Sequence, residues 1–197
     1  MRKPSILALC IVCLFLSCSP RDFLTRRLAA DLIAGSNSFR AAQQFELRTG
    51  VISNKDYLSP EYVALLHRGW ISSIKAICPP GVEPPCLDVS LTPEGVDTLQ
   101  DLIAPGEVEK QSFSIPVARR ELIAISGISK QGNTASVEFT WRWTPLNEVG
   151  AVLYPSDSRF RSIAAFRSYD DGWRVVVGAA HPGQPLDDAL KNAEPAQ

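Results

Sequence analysis

Two cysteines, Cys78 and Cys86, bracket the run PPGVEPP, and no other stretch of the chain leaves its backbone so few options. Proline locks φ and removes a backbone donor, so residues 79–85 form a stiff, turn-making loop. The flanking runs, 71–77 and 87–91, are strand-like in composition. Together they predict a hairpin whose two ends are tied by Cys78 and Cys86. A disulfide is the economical pairing. Two cysteines without a nearby histidine make a poor metal site, and the spacing is far from the C-x-x-C of redox-active pairs. Closing so short a loop stabilises a fold by roughly 2–3 kcal/mol in the entropic account. Such a bond needs an oxidising compartment, and the N-terminus predicts one.

Arg2 and Lys3 form a short basic start, and residues 5–16 (SILALCIVCLFL) form an uncharged apolar core. A bilayer-spanning helix needs roughly 20 apolar residues, so this core predicts an export signal rather than a permanent span. No A-x-A-like small-residue pair follows it. Instead the run Phe15-Leu16-Ser17-Cys18 resembles the lipobox of bacterial lipoproteins. In that family a small residue, here Ser17, precedes the cysteine, which becomes the lipid-modified N-terminus. Phe15 and Leu16 depart from the family pattern of Leu followed by a smaller residue. The resemblance implies a signal peptide over residues 1–17 and a lipid on Cys18. Each buried methylene adds roughly 0.8 kcal/mol and firm anchoring takes more than one acyl chain; lipoproteins carry two or three. Ser19 follows the cysteine in place of the Asp that retains many lipoproteins in the inner membrane. The resemblance therefore implies the periplasmic face of the outer membrane, with a membrane partner through the anchor.

Of the five cysteines, Cys10 and Cys13 leave with the signal, which leaves Cys78 and Cys86 for each other. Loss of residues 1–17 also removes two basic residues and no acid. The remainder then holds 18 basic residues against 21 acidic ones, a net charge of -3 in place of -1. Nucleic-acid and anionic-surface binders carry a basic footprint, so no nucleic-acid partner is expected. At 45% hydrophobic and 21% charged the composition is that of a globular domain rather than a disordered one. Fifteen prolines favour short elements.

Residues 21–34 place Leu24, Leu28 and Leu32 at four-residue spacing, the pattern of a helical face, and a second helix is expected through 39–47. Ser59-Pro60 and Thr92-Pro93 each supply an N-cap residue followed by a first-turn proline. They predict helices over 60–68, with Tyr62, Leu65 and Leu66 on one side, and over 94–103, with Val96, Leu99 and Ile103 inward. The order helix, strand, tight loop, strand, helix over residues 56–103, with LLHRGWI and VSLTPEG, resembles a winged-helix core. In that family the wing often meets DNA, which would set Lys75 and the 78–86 loop against phosphates. The loop holds Glu83 and no basic residue, so that role is not carried over.

After Pro105 the period changes to two. Residues 120–128 and 134–143 flank Gln131-Gly132-Asn133, and 159–169 and 173–178 flank Asp170-Asp171-Gly172. They predict an antiparallel sheet of about four strands, with 146–153 as a short helix or crossing loop. The pattern and the YDDGWRV ending resemble the cystatin-like or NTF2-like sheets of small α+β lipoproteins. The expected fold class is α+β: N-terminal helices with a winged-helix-like β-hairpin over 18–105, an antiparallel sheet over 106–180, and a loose tail over 181–197.

No constellation in the chain resembles a catalytic motif; G-x-S-x-G, P-loop and H-E-x-x-H are absent. His67 near a helix end and His181 beside Pro182-Gly183 lack ligand partners at useful spacing. Asp170-Asp171 suits a turn, Asp187-Asp188 a helix start, and Arg119-Arg120 a solvated position. Trp141 and Trp143 share one face of a strand, with Arg142 on the other. They form either large core residues, the favoured reading, or the aromatic wall of a ligand pocket. No cofactor is called for. The sequence thus predicts an envelope lipoprotein that binds a protein partner or supports an assembly without catalysis. A small-ligand carrier using Trp141 and Trp143 is the alternative, and a hydrolase ranks last.

Overall fold

A computed structural model describes residues 23–102, 111–178 and 183–196. Cys18, Ile103 and His181 lie outside the described residues. The elements run α1 (Arg26–Ala34), α2 (Asn37–Arg40), β1 (Gln43–Arg48), β2 (Gly50–Ser53), α3 (Asn54–Tyr57), α4 (Pro60–His67), β3 (Ile71–Ala76), β4 (Cys86–Leu91) and α5 (Pro93–Leu99). They continue β5 (Ser112–Gln131), β6 (Thr134–Pro145), α6 (Glu148–Leu153), β7 (Arg159–Tyr169), β8 (Gly172–Val175), α7 (Leu186–Lys191) and β9 (Glu194–Pro195). The fold is α+β. A six-stranded sheet has the order β1-β5-β6-β7-β8 with β9 also on β7, and a three-stranded sheet has the order β2-β4-β3. The chain divides into two compact units, both discontinuous in sequence, unlike the contiguous 18–105 and 106–180 segments. Asn37–Glu121 with Arg142–Arg159 makes the hairpin unit; the described residues up to Ser36, Leu122–Trp141 and Phe160–Ala196 make the sheet unit.

In the hairpin unit both proline-led helices start where expected, although Thr92 makes a side-chain cap bond and Ser59 makes none. Thr92 Oγ1 accepts from the Gly95 N–H at 3.1 Å and donates to the Gly69 carbonyl at 2.5 Å, so one side chain starts α5 and ties off the turn after α4. Asn147 does the same for α6: Oδ1 accepts from the Gly150 N–H at 2.9 Å while Nδ2 donates to the Pro116 carbonyl at 2.7 Å. The core gathers Leu47, Tyr62, Leu65, Trp70, Ile71, Val89, Leu99, Phe113, Ile115, Val117 and Val149. The expected helix over 39–47 is corrected. Only α2 is helical, and residues 43–48 form β1, because Phe45 and Leu47 alternate with exposed Gln44, Glu46 and Arg48 and pair antiparallel with β5. The inward face of α5 is also corrected. Gly95 and Leu99 are buried and Val96 is 42% exposed, since α5 meets the backbone at Trp70 through its glycine.

The sheet unit is built on long antiparallel strands. Tight turns at Gly132 (φ 59°) and Gly172 (φ 127°) sit at the two turn clusters, positions where a side chain would be strained. Val137, Phe139 and Trp141 of β6 are buried with Ala164 and Phe166 of β7 and Trp173 of β8. The α1 face shifts by one residue from expectation. Ala29 and Ile33 are its buried residues, and Leu24 is buried ahead of the Thr25 cap. The 181–197 segment is not a loose tail in its described part. Leu186, Ala189 and Leu190 of α7 are buried, and β9 pairs with β7 at Phe160↔Pro195 and Arg161↔Glu194. These pairings, with β1, raise the sheet from the expected four strands to six. Strand β5 also begins eight residues earlier than expected, at Ser112; Pro116 masks it in the sequence and sits opposite Gln44, where the register with β1 shifts.

Two packing details yield measurable consequences. A Cβ on Gly150 would run into the Val117 carbonyl oxygen, backbone against backbone. Gly150→Ala is therefore expected to cost about 1–3 kcal/mol, read from the midpoint of urea unfolding. Tyr62 Oη accepts from the Arg48 N–H at 2.6 Å and donates to the Arg48 carbonyl at 2.9 Å. Burial raises its phenol above the ordinary value of 10.0, and burial raises Tyr154 likewise. A raised pKa favours the protonated form in the fold, so this stability is complete below pH 10 and is lost as pH climbs beyond it. Tyr62→Phe should cost about 1–3 kcal/mol at neutral pH by leaving Arg48 backbone groups unsatisfied. It should also flatten the alkaline decline; an unchanged decline would mean that Tyr62 does not contribute to it.

Candidate functional site: a disulfide-closed apolar hairpin

Strands β3 and β4 pair antiparallel in unbroken register from Ile71↔Leu91 to Ala76↔Cys86. On the far side of β4, β2 pairs Val51↔Asp88 and Ser53↔Cys86. Side chains alternate across a sheet, and here one face carries Ile52, Val89 and Ile71 into the core. The other face sets Val51, Asp88 and Ile74 in one cross-strand row. On the same face the hydroxyls of Ser72 and Ser90 lie 3.2 Å apart. Ile74 is 71% exposed and Ile77, at the end of the strand, is 94% exposed.

Beyond Ile77 the loop is closed covalently and tied by backbone hydrogen bonds. Cys78 and Cys86 are disulfide-bonded with their Cα atoms 5.3 Å apart, as expected from the sequence. The Val82 N–H donates to the Pro79 carbonyl at 3.1 Å, Gly81 takes φ 88°, and the Pro84-Pro85 peptide is cis. The Asn54 N–H donates to the Pro85 carbonyl at 2.9 Å, which ties the loop to the end of β2. A depression of ≈ 510 Å³ opens here, lined by Lys75, Ala76, Ile77, Cys78, Pro85 and Leu87 among others. Lys75 and Glu83 are the charged residues of the whole run 71–87. The surface offers apolar contact area on a braced frame, with Lys75, Glu83 and Asp88 as its charged groups.

The other residues singled out in the sequence are occupied structurally. Trp141 is buried, stacks on Phe160 at 4.8 Å and donates from Nε1 to Ser162 Oγ at 3.0 Å. Trp143 lies against Tyr154 at 5.0 Å, with the Arg120 guanidinium 4.5 Å above its ring. Arg120 is thus not the solvated residue expected; it also donates to the Ser38 carbonyl at 2.7 Å, and a planar guanidinium suits a stack on indole. Arg142 pairs with Glu121 at 2.8 Å, and this contact with Thr144 holds the Glu121 carboxyl below its usual range. His67 is exposed at the end of α4, Asp171 pairs with Arg174 in the β7–β8 turn, and Asp187 and Asp188 occupy the first turn of α7. No group of three metal-binding side chains comes together among the described residues, and none of their helices is long and apolar enough to cross a membrane.

The residues that sequence reasoning passed over are Ile74 and Ile77. The signal for Ile74 was available: Ile71 and Ile74 are three apart, so in a strand they take opposite faces, and only one can enter the core. Comparison with protein-family models, curated proteins and solved structures found no match to this chain.

Replacing Cys78 and Cys86 together with Ser is expected to lower unfolding stability by about 2–3 kcal/mol. The same variant should speed amide exchange in β3 and β4 and leave β7 and β8 unchanged. Hydrogen exchange would show whether the bond braces the hairpin locally.

Proposed function

We propose that this chain is a membrane-anchored envelope lipoprotein, held by a lipid on Cys18, that docks on a protein partner and catalyses no reaction. The observation that carries the docking role is the pair of exposed isoleucines, Ile74 and Ile77, on a hairpin braced by a disulfide. Ile77 lines an apolar depression with Pro85 and Leu87; exposed apolar patches mark interaction surfaces, and a braced frame reduces the ordering cost of binding. The order α4, β3, β4, α5 supports a winged-helix-like arrangement of residues 56–103, used here for protein rather than nucleic acid because the loop carries Glu83 and no cation. The long antiparallel strands with helix α1 support likeness to the cystatin-like sheets of small lipoproteins. The carrier alternative draws less support, because Phe160 and Ser162 already engage Trp141, and Arg120 and Tyr154 already engage Trp143.

Two measurements test this. Cys18→Ser should move the protein from the membrane fraction to the soluble envelope fraction, and retention on membranes would overturn the anchor. A photo-crosslinking residue at position 77 should give a discrete adduct in intact cells. The same residue at exposed Val177 in the sheet unit should not. Equal labelling from both positions would overturn the hairpin as the docking surface.

A further inference from the structure

The hairpin has an edge as well as a face. Among the described residues, β3 is an outer strand of its sheet and pairs with β4 alone. An outer strand presents a row of unpaired N–H and C=O groups, and proteins commonly blunt such edges with prolines, bulges, charges or very short strands. The other outer strands here show those devices. β2 and β8 have four residues each, β9 has two and includes Pro195, and β1 carries a register shift and exposed Glu46 and Arg48. β3 carries one such device, the exposed Lys75, over six residues with no proline and no break in register. The Cys78–Cys86 bond ties the chain just past its far end to the first residue of β4.

A six-residue edge with Ile74 exposed on one face and Ile77 exposed just past its end selects its occupant. A lipid surface or small ligand would cover Ile74 and Ile77 but cannot satisfy a row of alternating donors and acceptors; an extended polypeptide does both. A second copy of β3 is the poorer fit. Antiparallel self-pairing centred on Ile74 puts Lys75 opposite Ser73, which leaves the two Lys75 ammonium groups as diagonal neighbours on one face, a repulsive arrangement. Building on the docking role assigned to this hairpin, we propose that the partner adds an extended segment to β3 as a fourth strand of this sheet. That segment is apolar at the positions facing Ser72, Ile74 and Ala76, and carries a carboxylate at the position facing Lys75.

The test uses the full-length lipidated protein in detergent micelles and the capped peptide Thr-Val-Glu-Val-Thr-Val-Thr, whose antiparallel register sets Glu across from Lys75. Amide exchange is followed residue by residue by NMR. With millimolar peptide, the amides of alternate residues in 71–77, those not bonded to β4, should slow by about tenfold or more. A peptide N-methylated on the edge facing β3 should have no effect, because its side chains are kept and its donors are lost. Unchanged exchange, or equal protection by the N-methylated peptide, overturns strand addition. Protection that rises with protein concentration in the absence of peptide assigns the edge to a second copy and overturns it as well. Discrete crosslinking from position 77 with β3 unprotected would remove strand addition alone; loss of that crosslink would remove the docking role itself.

Discussion

Phe113, Ile115 and Val117 all point to one side of β5 and all are buried, and much of the hairpin unit is arranged by what covers them. β1 pairs alongside and adds Phe45 and Leu47 to the same layer. The turn into α6 is tied to this strand twice, by Asn147 to the Pro116 carbonyl and by the Leu146 N–H to the Val117 carbonyl at 2.9 Å. Gly150 then lets the helix lie directly on the strand backbone. The burial of three alternate side chains thus sets the strand, its neighbour and the helix above it, because water is excluded from all of them together.

The polar groups around these layers are used to hold geometry. Tyr62 closes both backbone bonds of Arg48, and the buried Ser162 hydroxyl receives the indole of Trp141. Arg120 stacks on Trp143 while bonding the Ser38 carbonyl, and Arg142 on the same strand pairs with Glu121. Buried polar groups are kept where partners meet them, as at Tyr62 and Ser162, while the Arg142–Glu121 pair is an exposed contact. The aromatic and basic side chains that drew notice in the sequence are therefore structural supports, whereas Ile74 and Ile77 of the hairpin unit are exposed.

The inner face of this small sheet buries Ile52, Ile71 and Val89; its outer face sets exposed Val51 and Ile74 among Ser72, Asp88 and Ser90. A proline-rich loop cannot collapse over these residues, because its φ angles are locked and its ends are covalently joined. The same stiffness that limits the loop in the folded chain keeps the isoleucines presented. Rigidity and exposure together are what a binding surface needs and what a core strand does not.

Local chemistry made much of this legible. The Ser59-Pro60 and Thr92-Pro93 starts, the glycine turns at 132 and 172, the Cys78–Cys86 bond and the alternation of Val137, Phe139 and Trp141 each depend on neighbours a few residues away, and each reappears in the fold. The failures share one cause. Residues 43–48 read as a helix until β5 pairs with them, Arg120 reads as solvated until Trp143 lies beneath it, and α7 reads as tail until its leucines are buried. The sequence by itself determined where the chain turns, where the two proline-led helices start and which cysteines meet. Only the tertiary structure decided which isoleucines are buried and which face outward, and which strand edge is left open. Burial and pairing are properties of residues brought together from far apart in the chain, and no local pattern encodes the partner.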